Sequence, residues 1–249
     1  LALHRLGNRT AMMGKIGDDG FGAVVLDILS KESPALAAGM LTSPGEPTSY
    51  SVVVSVPGFD RLFVHCPGAN DTFTPDDVRY DTLDGAKAFH FGYPTLMRAF
   101  HTDPAALADM FRRVRDRGPV TSLDAARCDP ASPAGRADWV EILGNALPHV
   151  DVFLPSVEEL LFMLDRERFE TMDRETGGDI IPSVDGGLLE NLSDRLLEMG
   201  TAVVVIKLGD QGMYLRTNRD PRRLAGIADR LGIDRTAWTG RELLSGCFS

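Results

Sequence analysis

Apolar and polar positions follow two rhythms along this chain, and the switches between them predict its elements. Val203 to Leu208 is a nearly unbroken apolar run in which only Lys207 is charged. Four β-branched residues in succession read as a strand buried on both faces. Shorter runs of the same kind lie at Lys87–Phe91, Val120–Asp124 and Asp151–Leu154. Between them the period lengthens to that of amphipathic helices, over 104–117, 136–147, 156–164 and 188–199. Asp103-Pro104 reads as a cap followed by proline at the first helical position. Strands alternating with helices predict parallel βαβ units and the α/β class.

The first third is less regular. Leu1 to Gly7 reads as the last turns of a helix stopped by glycine. Arg9–Gly17 reads as a strand leading through Asp18-Asp19 into a helix over 20–33. Asp19 is its natural N-cap, and Val24, Val25, Ile28 and Leu29 fall on one face. A Pro- and Gly-rich loop is expected up to Pro47. Thr48–Val56 and Arg61–Cys66 then flank the turn signal Pro57-Gly58-Phe59-Asp60 and read as an antiparallel hairpin. A hairpin has no place inside a doubly wound sheet, so it is expected to stand off as a flap. Asp165–Pro182 reads as an exposed insertion, and Arg216–Arg241 is charged and weakly patterned.

Composition narrows the class. At 249 residues, one large domain spanning 1–249 is expected. The net charge of −10 argues against a general binder of nucleic acid or anionic membrane. Cys66, Cys128 and Cys247 lie far apart, a reduced cytoplasmic pattern without zinc spacing. No apolar run approaches a membrane span. Both ends read as cut, so a missing targeting segment carries no weight.

Candidate chemistry follows. Lys207 ends a buried strand and precedes Gly209-Asp210-Gln211-Gly212. A point charge and approachable backbone N–H groups at a strand's carboxyl end suit a phosphate. The alternative is a lysine that snorkels to water before a solvent turn. Ser156-Val157-Glu158-Glu159 is a capping-box pattern. Gly17-Asp18-Asp19-Gly20-Phe21-Gly22 has the wrong glycine spacing for a dinucleotide fingerprint, which argues against a nicotinamide-dependent oxidoreductase.

In order along the chain, GKIGDDGFG, the valine-rich hairpin, CPGAND, FHFG, DVFLPSVEEL and VIKLGDQG resemble the ribokinase-like (PfkB) carbohydrate kinases. The resemblance covers nearly all 249 residues. It implies a three-layer α/β/α sandwich with a mostly parallel central sheet and a β-sheet lid, here about 48–66. It implies ATP- and Mg²⁺-dependent phosphorylation of a sugar hydroxyl, with the lid frequently forming a homodimer contact. On this chain it implies Gly17, Asp19, Asn70 and Gly92 on the substrate side, and Lys207, Gly209 and Gly212 on the nucleotide. Ser156 stands where the family carries Asn in N-x-x-E, leaving Glu159 as the metal-side residue, acting through water or as a cap. Asp124-Ala125-Ala126-Arg127 only partly echoes a D-x-N-x-R pattern of some relatives, so the choice among sugar, sugar acid and nucleoside stays open. The family's D-T-x-G-A-G-D stretch, which supplies the anion hole and catalytic base, is absent and expected beyond Ser249. No catalytic base is therefore assigned, and the chain alone is expected to be inactive. The alternative is a non-catalytic binding or regulatory protein on the same fold.

Overall fold

The structure is a computed structural model, and it describes residues 1–57 and 62–247. Gly58, Phe59 and Asp60 of the expected turn, Arg61, Phe248 and Ser249 lie outside the described residues. The chain divides into two compact units, Leu1–Arg79 with Leu96–Ala99, and Tyr80–Thr95 with Phe100–Ser249.

The first unit contains α1 (Ala2–Arg5), β1 (Gly14–Gly17), α2 (Gly20–Glu32), α3 (Pro34–Ala37), β2 (Met40–Ser43), β3 (Tyr50–Val54) and β4 (Leu62–Cys66). β1 and β2 form a parallel pair, Gly14 opposite Met40 through Gly17 opposite Ser43. The expected loop before Pro47 therefore holds a short helix and a strand that the sequence reading missed. Asp19 caps α2 as expected, accepting a hydrogen bond from Gly22 N at 2.8 Å. The apolar face differs from expectation. Leu29 is buried, but Val24 and Ile28 are about half exposed, at 54% and 48%. A Cβ on Gly22 would meet the Gly17 carbonyl, so the helix approaches β1 through its glycine. That contact rotates the inward stripe to Gly22, Val25, Leu26 and Leu29.

The expected hairpin is present. β3 and β4 pair antiparallel, with Tyr50 opposite Cys66 and Val54 opposite Leu62, and form their own two-stranded sheet.

The second unit is built on a six-stranded sheet in the order β10-β9-β8-β7-β6-β5. Its strands are β5 (Ala88–Gly92), β6 (Val120–Asp124), β7 (Val152–Phe153), β8 (Val203–Lys207), β9 (Met213–Thr217) and β10 (Glu242–Ser245). β5 through β8 run parallel; β9 and β10 are antiparallel additions. The helices are α4 (Arg98–Thr102), which straddles the boundary between the units, α5 (Ala106–Arg115), α6 (Trp139–Ala146), α7 (Val157–Leu164), α8 (Arg166–Thr176), α9 (Gly186–Glu198), α10 (Pro221–Leu231) and α11 (Arg235–Trp238). Val203 and Val205 pack with Leu224 and Ile227 of α10. Their neighbours Val204 and Ile206 point to the opposite face and are fully buried. A strand covered on both faces is the signature of a layered α/β sheet.

Three expectations in this unit need correction. The stretch 165–182 is largely α8, anchored by buried Phe169 edge-on to Phe162 at 5.6 Å. Its remaining surface is polar, which hid the helix. Asp103-Pro104 does not open the helix; Asp103 accepts from Ala105 N at 2.9 Å, and α5 starts at Ala106. The weakly patterned 216–241 contains α10 and α11, and β9 and β10 were not foreseen. A charged Arg216 masks β9, yet it is buried, paired with Asp194 at 2.8 Å.

Candidate functional site

Because β5 to β8 are parallel, their carboxyl ends lie along one edge of the second unit's sheet. Gly92 closes β5 opposite Asp124, which closes β6. Lys207 closes β8, where its N–H donates to the Pro155 carbonyl at 2.9 Å and it bridges in parallel to Ser156. The lysine stem spans the intervening strand, and Nζ donates to Asp124 Oδ1 at 2.6 Å. Asp124 Oδ1 also accepts from Ala125 N at 2.9 Å. Lys207 does not simply drift into water; it is fixed by a carboxylate two strands away.

Glu159 enters from α7, which begins just after β7. Ser156 and Glu159 form the full capping box: Ser156 Oγ accepts from Glu159 N at 3.2 Å, and Glu159 Oε2 accepts from Ser156 N at 2.6 Å. The Glu159 side chain is buried, and burial pushes its carboxyl above the usual range. The Ser156 N–H and the Lys207 charge oppose that rise, while Asp124 adds to it. Asp124, Glu159 and Lys207 thus form one electrostatic cluster at the sheet edge.

The glycine turn follows directly. Gly209 and Gly212 have φ of +55° and +101°, conformations that favour glycine. A Cβ on Gly212 would overlap the Ser245 carbonyl, so this glycine lets β10 close against the turn. Leu208 and Gln211 line a cavity of about 600 Å³ together with Leu189, Tyr214, Glu242 and Leu244. Mostly apolar walls with a few polar groups suit a small flat ligand.

The remaining sequence candidates lie in the first unit. The Asp19 carboxylate accepts from Thr48 Oγ1 at 2.6 Å, Thr48 N at 2.9 Å and Gly22 N at 2.8 Å. The Thr48 hydroxyl bond, followed by those backbone bonds, lowers its pKa to about 2. A Cβ on Gly17 would overlap the Glu46 carbonyl, and one on Gly68, at φ +48°, would also crowd the Pro47 carbonyl, at 2.5 Å. Gly17 and Asp19 therefore bind the segment 46–49 to the start of α2. Asn70 differs. Its backbone closes a 3₁₀ turn, but its half-buried side-chain amide has no partner among the described residues. Gly92 differs again: a Cβ there would meet nothing nearer than His90 Nε2 at 3.9 Å. Local sterics do not demand glycine at that position.

Among the described residues no group of three or more His, Cys, Asp or Glu side chains is arranged to hold a metal. Magnesium, however, keeps several waters and leans on substrate phosphates, needing only one or two protein carboxylates. Glu159 and Asp124 fit that lesser demand, although one oxygen of each is already hydrogen-bonded.

The sequence matches the pfkB family carbohydrate kinases over residues 1–232. The chain belongs to that family. Among curated proteins it is similar to probable fructokinase-4 of Arabidopsis thaliana, 28% identical over 246 residues, covering 96% of this chain and 66% of the relative. Fructokinase-2 of Solanum habrochaites is 31% identical over 174 residues, covering 68% of this chain and 51% of the relative. This pfkB chain thus spans from about half to just under two thirds of these relatives. Among solved structures, ribokinase from Giardia lamblia matches with a TM-score of 0.66 at 15% identity, over 97% of this chain and 59% of that one. A fructokinase with bound ATP from Xylella fastidiosa matches with a TM-score of 0.63 at 19% identity, over 87% and 60%. The fold is therefore the ribokinase-like α/β architecture that the motifs implied.

Sequence reasoning missed the role of Asp124 in this pfkB chain, having weighed it only within an imperfect D-x-N-x-R pattern. A carboxylate ending a strand, level with a lysine ending another, was the available signal. The cavity left no signal, because Glu242 and Leu244 reach it through an unforeseen strand.

Proposed function

We propose that this chain is the nucleotide- and sugar-binding part of an ATP-dependent sugar kinase. The observation that supports it most is Lys207, held by Asp124 at the sheet's carboxyl edge, immediately before a turn that lines a 600 Å³ cavity. On this reading the adenine occupies the cavity beside Leu208 and Gln211, and the phosphates run along Gly209 toward Lys207. A lysine serves phosphate as a point charge, and phosphoryl transfer asks the protein mainly for positioning and charge stabilisation. Glu159 and Asp124 are the residues that would hold magnesium through its waters, and the ion would supply neutralisation of phosphate charge. Two sets of residues are kept for the sugar, each within its own unit. In the second unit it is Gly92, with open space beside it at the end of β5. In the first it is Asn70, whose amide is available for hydroxyl groups, with Gly17 and Asp19 shaping the backbone of the 46–49 segment without donating to the sugar.

The same proposal takes the chain as one ribokinase-like domain in the cytoplasm with its lid at 48–66. It makes the hairpin a homodimer contact through the exposed Val52, Val53, Leu62 and Phe63. No helix among the described residues is long and apolar enough to cross a membrane. The 249 residues contain no D-T-x-G-A-G-D stretch, so on their own they bind nucleotide without turnover.

Calorimetric titration with ATP and Mg²⁺ tests the reading. Lys207→Met lowers ATP affinity about tenfold, the loss of roughly 1.4 kcal/mol from one phosphate contact. Equal affinity in wild type and variant removes Lys207 from the nucleotide. Sugar phosphorylation by a longer chain that includes these residues separates the enzyme from a binding protein on the same fold, which binds ATP but turns nothing over.

A further inference from the structure

Immediately after Gly92 comes a residue that neither the family motifs nor the nucleotide reading uses. Tyr93 has φ of +64° and is the non-glycine residue with positive φ among the described residues. A bulky side chain there is strained, and such outliers persist where the surroundings enforce them, often at ligand sites. Here the surroundings are firm. Phe91 is buried edge-on to Phe100 at 5.1 Å, and Pro94 and Thr95 are buried on the other side. The Tyr93 N–H donates to the Asp124 carbonyl at 3.2 Å, tying it to the strand whose side chain holds Lys207. Yet Tyr93 itself is 48% exposed. A large aromatic is thus displayed in a fixed, strained pose at the sheet edge where ligands of open α/β folds bind.

A second observation lies two residues on. The Thr95 hydroxyl is buried and has no hydrogen-bond partner among the described residues, although Thr95 is only 5% exposed. Buried hydroxyls almost always find partners, and an orphan asks for an explanation. A polyol hydroxyl supplies one.

We propose that Tyr93 is a specificity residue of the sugar site, its ring set against the carbon face of a neutral cyclic polyol. This rests on the sugar-kinase reading above. Neutral substrate follows from the charge: Lys207 at this edge is already matched by Asp124, and the chain as a whole carries −10. The neighbouring polar groups, Thr95 and the Ser122–His90 pair at 2.6 Å, are hydroxyl and imidazole, suited to sugar hydroxyls.

The test compares wild type, Tyr93→Gly and Tyr93→Phe by calorimetric titration with D-fructose, D-ribose, D-gluconate, adenosine and ATP, with thermal melts alongside. Wild type binds fructose or ribose more tightly than gluconate or adenosine. Tyr93→Gly weakens that sugar by about two- to tenfold, the range of an aromatic contact, while ATP affinity holds and the melting temperature stays level or rises as strain is relieved. Tyr93→Phe keeps the sugar within about twofold. Unchanged sugar affinity in Tyr93→Gly overturns the assignment, as does a preference for gluconate or adenosine. Parallel loss of sugar, ATP and melting temperature also overturns it, since Tyr93 then serves only the fold. Wild type binding ATP but no sugar overturns the Tyr93 role and leaves the nucleotide site standing; binding neither overturns both.

Discussion

Two strands of this chain share a composition and have opposite surroundings. β3 reads YSVVV and every residue in it is exposed; β8 reads VVVIK and its first four residues are buried. β-Branched content made both extended, because it suits the pleated backbone wherever the strand lies. Burial was decided by neighbours. β8 is hydrogen-bonded on both sides, to β7 and β9, with α10 against one face. β3 pairs with β4 alone. The same residues therefore build a core in one place and an exposed surface in the other.

The comparison breaks most sharply at Ile206, which is fully buried. Ile206→Ala lowers unfolding free energy by about 2–5 kcal/mol in urea denaturation, the usual range for a truncated core residue. A loss below about 1 kcal/mol would mean that β8 is not the core strand described. A smaller loss is expected where the sheet edge passes into α7. Ser156→Ala removes the cap and lowers stability by about 1 kcal/mol. The Ser156 N–H that holds the Glu159 carboxylate remains in this variant, so nucleotide affinity with Mg²⁺ is expected to change little.

A further difference between the units appears in acid. The Asp19 carboxylate, ordinarily near 3.8, is held down to about 2. Its contribution is complete above the ordinary value and vanishes as pH falls through the lowered one. Protection of the Gly22 and Thr48 amides, measured against their intrinsic exchange rates, therefore falls between about pH 4 and pH 2, and Asp19→Asn flattens that response. Unaltered protection at both amides across this window would contradict the carboxylate's role. The smallest effect is at Val53, which is 49% exposed. Val53→Ser changes stability by less than about 0.5 kcal/mol. Light scattering on the same variant asks whether the hairpin joins two copies.

Legibility followed the density of local signal. β6, the hairpin and the capping box at Ser156 were readable because pattern, turn residues and caps agreed. α8, α10, β9 and β10 were not, since their faces carry charge and their apolar anchors are few, such as Phe169, Leu224 and Ile227. Within the candidate site, Lys207 and Glu159 could be named from strand-end and cap patterns. Asp124 could not be paired with Lys207, because 83 residues separate them. Gly17 and Asp19 were legible as a motif, but their engagement with Thr48 was not.

What the sequence determined by itself was the alternation of strand and helix, the hairpin, the helix caps at Asp19 and Ser156 and the family, all carried by residues close together in the chain. Only the tertiary structure decided which valines are core, which carboxylate faces Lys207, and that Tyr93 stands half exposed with its N–H on the Asp124 carbonyl. Those outcomes depend on which strands lie side by side, and hydrogen bonding between distant segments leaves no local periodicity to read.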